Sequence, residues 1–442
     1  MTESVKHLPP GSSDIRLIGG EAKLEIGGTD DGAERLREIL ASKDVVVVAG
    51  SGGVGKTSIA AALALFAASR LERKSLVVTI DPARRLATAL GLSGLGNRAV
   101  PVDEDHLKTA GVECPGGLFA MQVDTKRSWD EMIWRYASSE EEAYRILGNR
   151  LYQGFSGRFV QSHDYIAMDR LYELRNSAEY DLIVVDTPPS RNALDFVEAP
   201  KRVQEFFGGR LLRLLTAPYR MGGDVGSRVI NFATRPFYRI ADQILGSKFL
   251  EDIAEFFLSF QSMYDGFVER ATAVDRMLHD PRTAFVLVST LEPAAFAEAK
   301  FFRDLLLARG FPLEAVVLNK VLPGFLSDRN AFENAGRLAE AELAARLEAL
   351  EEGGPSAEAL GRVLKEIADN FKNFHLVAMR QIEEARGLGS PSLSVCTVGY
   401  IVGEVSDLES LAIMAESMFG TRLTGRESLR EPPSSGFGDP AP

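Results

Sequence analysis

The sequence predicts an α/β fold: a mostly parallel sheet covered by helices on both faces, with helical insertions. Three observations predict it. Short, near-continuous apolar runs recur along the chain and are separated by helical stretches, the pattern of strands buried on both faces. The first run leads into a glycine-rich loop followed at once by a helical stretch to Arg70. Two further runs end on an aspartate, at Asp81 and Asp186. In order, the strand candidates are Val45–Ala49, Leu76–Ile80, Leu118–Val123, Leu182–Val185, Ala284–Val288, Ala315–Leu318 and Leu393–Thr397. Residues 125–178 and about 195–280 carry helical patterns without a clear strand and are read as insertions.

The flanks differ from this centre. Residues 1–40 are polar and Gly-rich with weak structural signals, and residues 424–442 read as a disordered Pro/Ser/Gly tail. Hydrophobic residues make up 45% and charged residues 25%, an ordinary globular balance. The net charge of -12 has no block of like charges, which argues against a nucleic-acid partner. The two cysteines, Cys114 and Cys396, form no Cys-x-x-Cys pair, so neither zinc nor a redox motif is expected. Met1–Arg16 has no apolar core of a secretory signal, and the longest uncharged apolar run, Ile59–Ser69, is too short to span a bilayer. A cytoplasmic location is expected.

The loop Gly50-Ser51-Gly52-Gly53-Val54-Gly55-Lys56-Thr57 fits Gly-x-x-x-x-Gly-Lys-Thr, placed between a buried strand and a helix as that motif requires. Its glycines let backbone N–H groups turn toward phosphate oxygens. Gly52, Gly53, Val54, Gly55, Lys56, Thr57 and Ser58 are therefore the expected nucleotide-binding residues, with Lys56 reaching the β/γ-phosphates and the Thr57 hydroxyl ligating Mg²⁺. The fold class is thus that of a P-loop NTPase, with ATP and Mg²⁺ as cofactors. Its domain would comprise residues 41–194 and 281–423, with a helical subdomain at 195–280. Asp186, at the carboxyl end of Leu182–Val185, sits where a Mg²⁺-associated carboxylate is found, though it could also cap the helical stretch beginning at Ser190. Asp81 has the same two readings. Asn319 and Lys320 end the strand Ala315–Leu318. A guanine-specific Asn-Lys pair is followed two residues later by Asp; here that position is Leu322, so adenine is favoured.

Gly-Ser-Gly-Gly-Val-Gly-Lys-Thr, then Thr79-Ile80-Asp81-Pro82-Ala83, then Asp186-Thr187-Pro188-Pro189-Ser190 together resemble the arsenite-pump ATPase superfamily. That superfamily includes the ATPase delivering tail-anchored membrane proteins, and the likeness is closest to its bacterial anion-transporting branch. The resemblance covers roughly residues 40–420. It implies that Asp81 orients the attacking water, that Asp186 lies near Mg²⁺, and that Asn319 contacts adenine. It implies catalysis by Lys56, Asp81 and Asp186 in a dimer, either a homodimer or a heterodimer with a paralogue. There are departures. The loop lysine that crosses the dimer in this family is Ser51 here, with Arg84 and Arg85 as nearby substitutes or merely exposed helix residues. The proline of the last adenine-side loop is absent from Thr397–Val405.

Residues 201–280 hold nine of the 25 phenylalanines: Phe206, Phe207, Phe232, Phe237, Phe249, Phe256, Phe257, Phe260 and Phe267. They are either a buried helix face or an apolar surface for a client or membrane-protein partner, exposed according to nucleotide state. The overall expectation is an ATPase switch coupling hydrolysis to movement of this subdomain. The catalytic subunit of an anion or metalloid pump, a partitioning or positioning ATPase, and a small-molecule kinase or ligase are the alternatives. Two distant cysteines argue against an arsenite site.

Overall fold

The computed structural model describes residues 29–80, 85–149, 152–153, 160–188, 263–337, 341–348, 356–386, 388, 393–401 and 403–423. Eight strands form one sheet: β1 (Val45–Gly50), β2 (Ser75–Thr79), β3 (Val100–Pro101), β4 (Leu118–Gln122), β5 (Leu182–Asp186), β6 (Thr283–Ser289), β7 (Leu313–Val321) and β8 (Ser394–Gly399). Their spatial order is β3-β4-β2-β5-β1-β6-β7-β8. Every described pairing is parallel except β3 with β4. The seven expected strands are all present. The two-residue β3, half proline and with one intermediate and one exposed position, has no apolar run by which to be recognised.

Alternation along the buried strands makes two cores. Val46, Val48, Val77, Val184, Val286 and Val317 face the helices Lys56–Arg70 and Leu408–Phe419. Val45, Val47, Val78, Val185, Leu287 and Leu318 face Val160–Asn176, Pro293–Ala308 and the end of Ala357–Arg386. Both faces are therefore covered, and the period of two in the strands decides which residue goes to which face. The helix Thr29–Ser42, whose sequence gives little signal, packs on β8, where a Cβ on Gly32 would lie 2.2 Å from the Val395 carbonyl oxygen.

A third cluster joins the helices Thr125–Tyr136, Glu140–Gly148, Val160–Asn176 and Tyr264–Leu278 through Trp129, Met132, Ile133, Tyr165 and Phe267. Helices do occupy the first expected insertion. Of the nine singled-out phenylalanines, Phe267 is fully buried against Trp129 and Tyr136, which is the core reading for that residue. The other eight lie outside the described residues, as does 424–442. No helix among the described residues is long and apolar enough to cross a membrane.

Candidate functional site

β1 lies between β5 and β6, with β2 to β5 on one side of it and β6 to β8 on the other, so the direction of the connections reverses there, and the carboxyl ends of strands at such a reversal are where open α/β sheets bind ligands. The glycine-rich loop opens there. Gly50 ends β1 with φ 154°, and a Cβ on it would lie 2.2 Å from the Val288 carbonyl oxygen of β6. Gly55 has φ 94°, and a Cβ there would meet the Asn319 amide nitrogen at 2.3 Å. These two glycines are fixed by contacts from neighbouring strands as well as by backbone conformation. The helix Lys56–Arg70 starts immediately after, so its N-terminus adjoins the loop.

Register brings the carboxylate to the loop. Asp186 pairs with Val48 of β1 and with Thr79 of β2. Its buried side chain accepts a hydrogen bond on Oδ2 from Thr57 Oγ1 at 2.8 Å and another on the same oxygen from Thr79 Oγ1 at 2.9 Å. One carboxylate oxygen thus ties the phosphate loop to the end of β2. Thr79 carries no signal as an isolated residue. Its place at the end of a buried strand beside β5 is what brings it to Asp186. The next residue, Thr187, donates its hydroxyl to the Val48 carbonyl at 2.9 Å, anchoring the start of the segment that follows β5.

The loop is held from within and from the side. Lys56 Nζ, buried, donates to the Ser51 carbonyl at 2.9 Å. Asn319, 3% exposed, donates Nδ2 to the Val54 carbonyl at 2.8 Å, while its Oδ1 accepts from the Lys320 N–H at 2.9 Å. Lys320 has φ 58°, a left-handed conformation that costs about 1–2 kcal/mol outside glycine, and its Nζ reaches the Gly53 carbonyl at 3.3 Å. The strand therefore runs past Leu318 and carries Asn319 and Lys320 against the loop as a brace, a contact not legible in sequence. Beyond them, the Tyr400 N–H donates to the Val321 carbonyl at 2.9 Å, closing the β7–β8 edge of the crevice.

The donor set suits a small hard cation. Thr57 gives its proton to Asp186 and keeps its oxygen lone pairs for a metal, and one hydroxyl with one nearby carboxylate is a typical Mg²⁺ complement when phosphate and water supply the rest. Asp81 and Arg84 lie outside the described residues. Arg85 is exposed at the start of the helix Arg85–Ala89. The cysteines are apart: Cys114 precedes β4 and Cys396 lies in β8, six strand steps across the sheet, about 29 Å at ~4.8 Å per step. Burial pushes the Cys114 thiol up to about 12, disfavouring the thiolate that a soft ion needs.

Comparison with known proteins agrees with this geometry. The family model for anion-transporting ATPases matches residues 43–352, from just before β1 to a point short of the helix Ala357–Arg386. A provisionally named arsenical pump-driving ATPase from Aquifex aeolicus is 26% identical over 63% of this chain and 63% of its own length. ATPase GET3 of Podospora anserina is 28% identical over 43% of this chain and 57% of its own length. ATPase asna-1 of Caenorhabditis elegans is 25% identical over 39% and 50%. The chain thus spans between half and two thirds of the length of these relatives. With most of its residues matched and the phosphate loop, the β5 carboxylate and the β7 asparagine converging at one sheet edge, the chain belongs to the anion-transporting ATPase family.

Proposed function

We propose that the protein binds and hydrolyses MgATP at the β1–β5 crevice and uses the reaction as a conformational switch. The observation that carries the reading is the shared oxygen of Asp186, which joins Thr57 of the phosphate loop to Thr79 of β2. A carboxylate tied to both elements would respond to a γ-phosphate bound in the loop. Lys56 and the loop N–H groups from Gly52 to Ser58 would hold the phosphates, which requires Lys56 to leave the Ser51 carbonyl. Thr57 and Asp186 would hold Mg²⁺, which when bound supplies positive charge to the β/γ-phosphate oxygens. Asp81 would orient the attacking water. Asn319 and Lys320 would line the adenine side while bracing the loop. We further infer a cytoplasmic dimer tightened by ATP, with a client or membrane-protein partner reached through residues 201–280. The separation of Cys114 and Cys396 supports a substrate other than arsenite.

Steady-state phosphate release and nucleotide binding test this. Lys56→Ala removes electrostatic stabilisation of several kcal/mol in the transition state and should abolish turnover. Asp81→Asn should bind MgATP as well as the parent and hydrolyse it poorly. Equal turnover by Asp81→Asn and the parent would overturn the assigned role.

A further inference from the structure

Among the described residues, three other than glycine take a positive φ: Glu72, Ala178 and Lys320. Glu72 and Ala178 precede β2 and β5, at the far end of the sheet, and Lys320, with φ 58°, stands where β7 ends beside the phosphate loop. A left-handed backbone outside glycine persists where its surroundings over-determine it, and here both ends of the residue are held. The Lys320 N–H donates to Asn319 Oδ1 at 2.9 Å, and its Nζ donates to the Gly53 carbonyl at 3.3 Å. The side chain is thus strung between β7 and the loop, in an exposed residue. The space at its loop anchor is open, since a Cβ on Gly53 would meet no atom within 4 Å. Bracing the loop does not call for this arrangement, because the buried Asn319 already holds the Val54 carbonyl at 2.8 Å.

We propose that the Lys320 side chain is one face of the base site: its four-carbon stem, pinned at both ends, is the surface on which the flat ring of the nucleotide base lies. The inference rests on the nucleotide reading above and adds where the base goes and what it touches. Thr57 and Asp186 set the metal and terminal-phosphate end on the β5 side of the loop. A nucleotide whose phosphates fill the loop then carries its base at the opposite end, on the β6–β7 side, where the stem runs. The left-handed backbone aims the side chain across that gap, and the Gly53 carbonyl fixes its tip. A stem held in this way has already lost the rotamer freedom that a free lysine would lose on binding, so the contact is preorganised. It meets the face of the ring and leaves the edge of the base to other groups.

Titration calorimetry of the full chain with ADP and with inorganic pyrophosphate, each with Mg²⁺, tests it. Both probes fill the loop, and only one carries a base, so the ratio of their affinities reports the base site. Lys320→Gly should lower that ratio about tenfold, the contact of about two buried methylene groups. The same variant relieves the left-handed backbone, so without nucleotide it should resist urea at least as well as the parent. Lys320→Met keeps a stem without the ammonium and should lower the ratio only about threefold, the share of a cation over a ring. Lys320→Gly that weakens ADP and pyrophosphate equally would show that the lysine acts on the phosphates or the loop, and overturns the proposal. So does Lys320→Met that loses as much of the ratio as Lys320→Gly. A parent that binds both probes with equal affinity overturns the base site while leaving the phosphate loop standing. A parent that binds neither overturns the nucleotide reading itself, and this inference with it.

Discussion

Asn319 carries two proposed roles, and its removal separates their contributions. Resemblance makes it an adenine contact; the structure makes it a brace on the phosphate loop. Asn319→Ala leaves the Val54 carbonyl, in a residue 1% exposed, without its 2.8 Å donor. An unsatisfied buried acceptor costs about 1–3 kcal/mol. The Lys320 N–H also loses its acceptor, but it is only part-buried and can turn to water, which adds about 1 kcal/mol. The expected loss is therefore about 2–4 kcal/mol in the nucleotide-free protein. Asn319→Asp should be worse, because a carboxylate oxygen replaces the donor against the same carbonyl. Urea unfolding without nucleotide measures both. Hydrogen exchange should show the loop losing protection in the same order. If Asn319→Ala unfolds like the parent and only weakens ATP binding, the brace contributes nothing to stability and the residue acts through the nucleotide alone.

Two further perturbations follow from the same geometry. Gly50→Ala sets a methyl 2.2 Å from the Val288 backbone oxygen of an adjacent buried strand, so the variant should be recovered unfolded or insoluble, as read by circular dichroism of any soluble fraction. Burial holds the Cys114 thiol protonated up to about 12, against an ordinary value of 9.0, so its contribution to stability is complete below pH 9 and is lost as pH rises toward 12. The slope is at most about 1.4 kcal/mol per pH unit. Cys114→Ala should flatten stability between pH 9 and 10, before the tyrosines with raised values, Tyr152, Tyr165 and Tyr180, begin to contribute. An unchanged slope in that variant would locate the alkaline loss elsewhere.

Much of the fold was legible because each central strand is an apolar run and the two helix-bearing faces oblige such runs to be buried throughout. Val45–Gly50 and Leu182–Asp186 announce themselves this way, and the loop between β1 and its helix is fixed by a motif whose spacing has a mechanical reason. What could not be read depended on contacts between distant parts of the chain. The Asn319 brace joins residues 265 positions apart. Thr79 reaches Asp186 only because β2 and β5 are neighbours, a fact of strand order that no local pattern contains. The helix Thr29–Ser42 is anchored by Gly32 on β8, so the residue that weakens its propensity is the one its packing requires.

The segment after Asp186 is where a nucleotide-driven movement would enter, and the structure limits how far it can travel. It is tied at one end by Thr187 to the Val48 carbonyl. It returns as the helix Tyr264–Leu278, with Phe267, Ala271, Val274 and Leu278 fully buried. That helix is also pinned by charge: Arg270 Nε lies 2.6 Å from Asp169 Oδ1, its Nη2 lies 3.2 Å from Glu173 Oε1, and its guanidinium sits 4.3 Å over the Tyr172 ring. Asp169 is buried deeply enough that desolvation raises its carboxyl despite the adjacent Arg270. Pulling the pair apart would strand a buried charge at about 3–5 kcal/mol, more than most allosteric couplings provide. The helix Tyr264–Leu278 is therefore expected to keep its place when the nucleotide changes. Hydrogen exchange of Asp81→Asn, with and without an ATP analogue, should show residues 51–57 gaining protection and residues 264–278 unchanged. A tenfold or greater change in exchange at 264–278 would show that the returning helix moves with the switch and that its buried ion pair is no anchor.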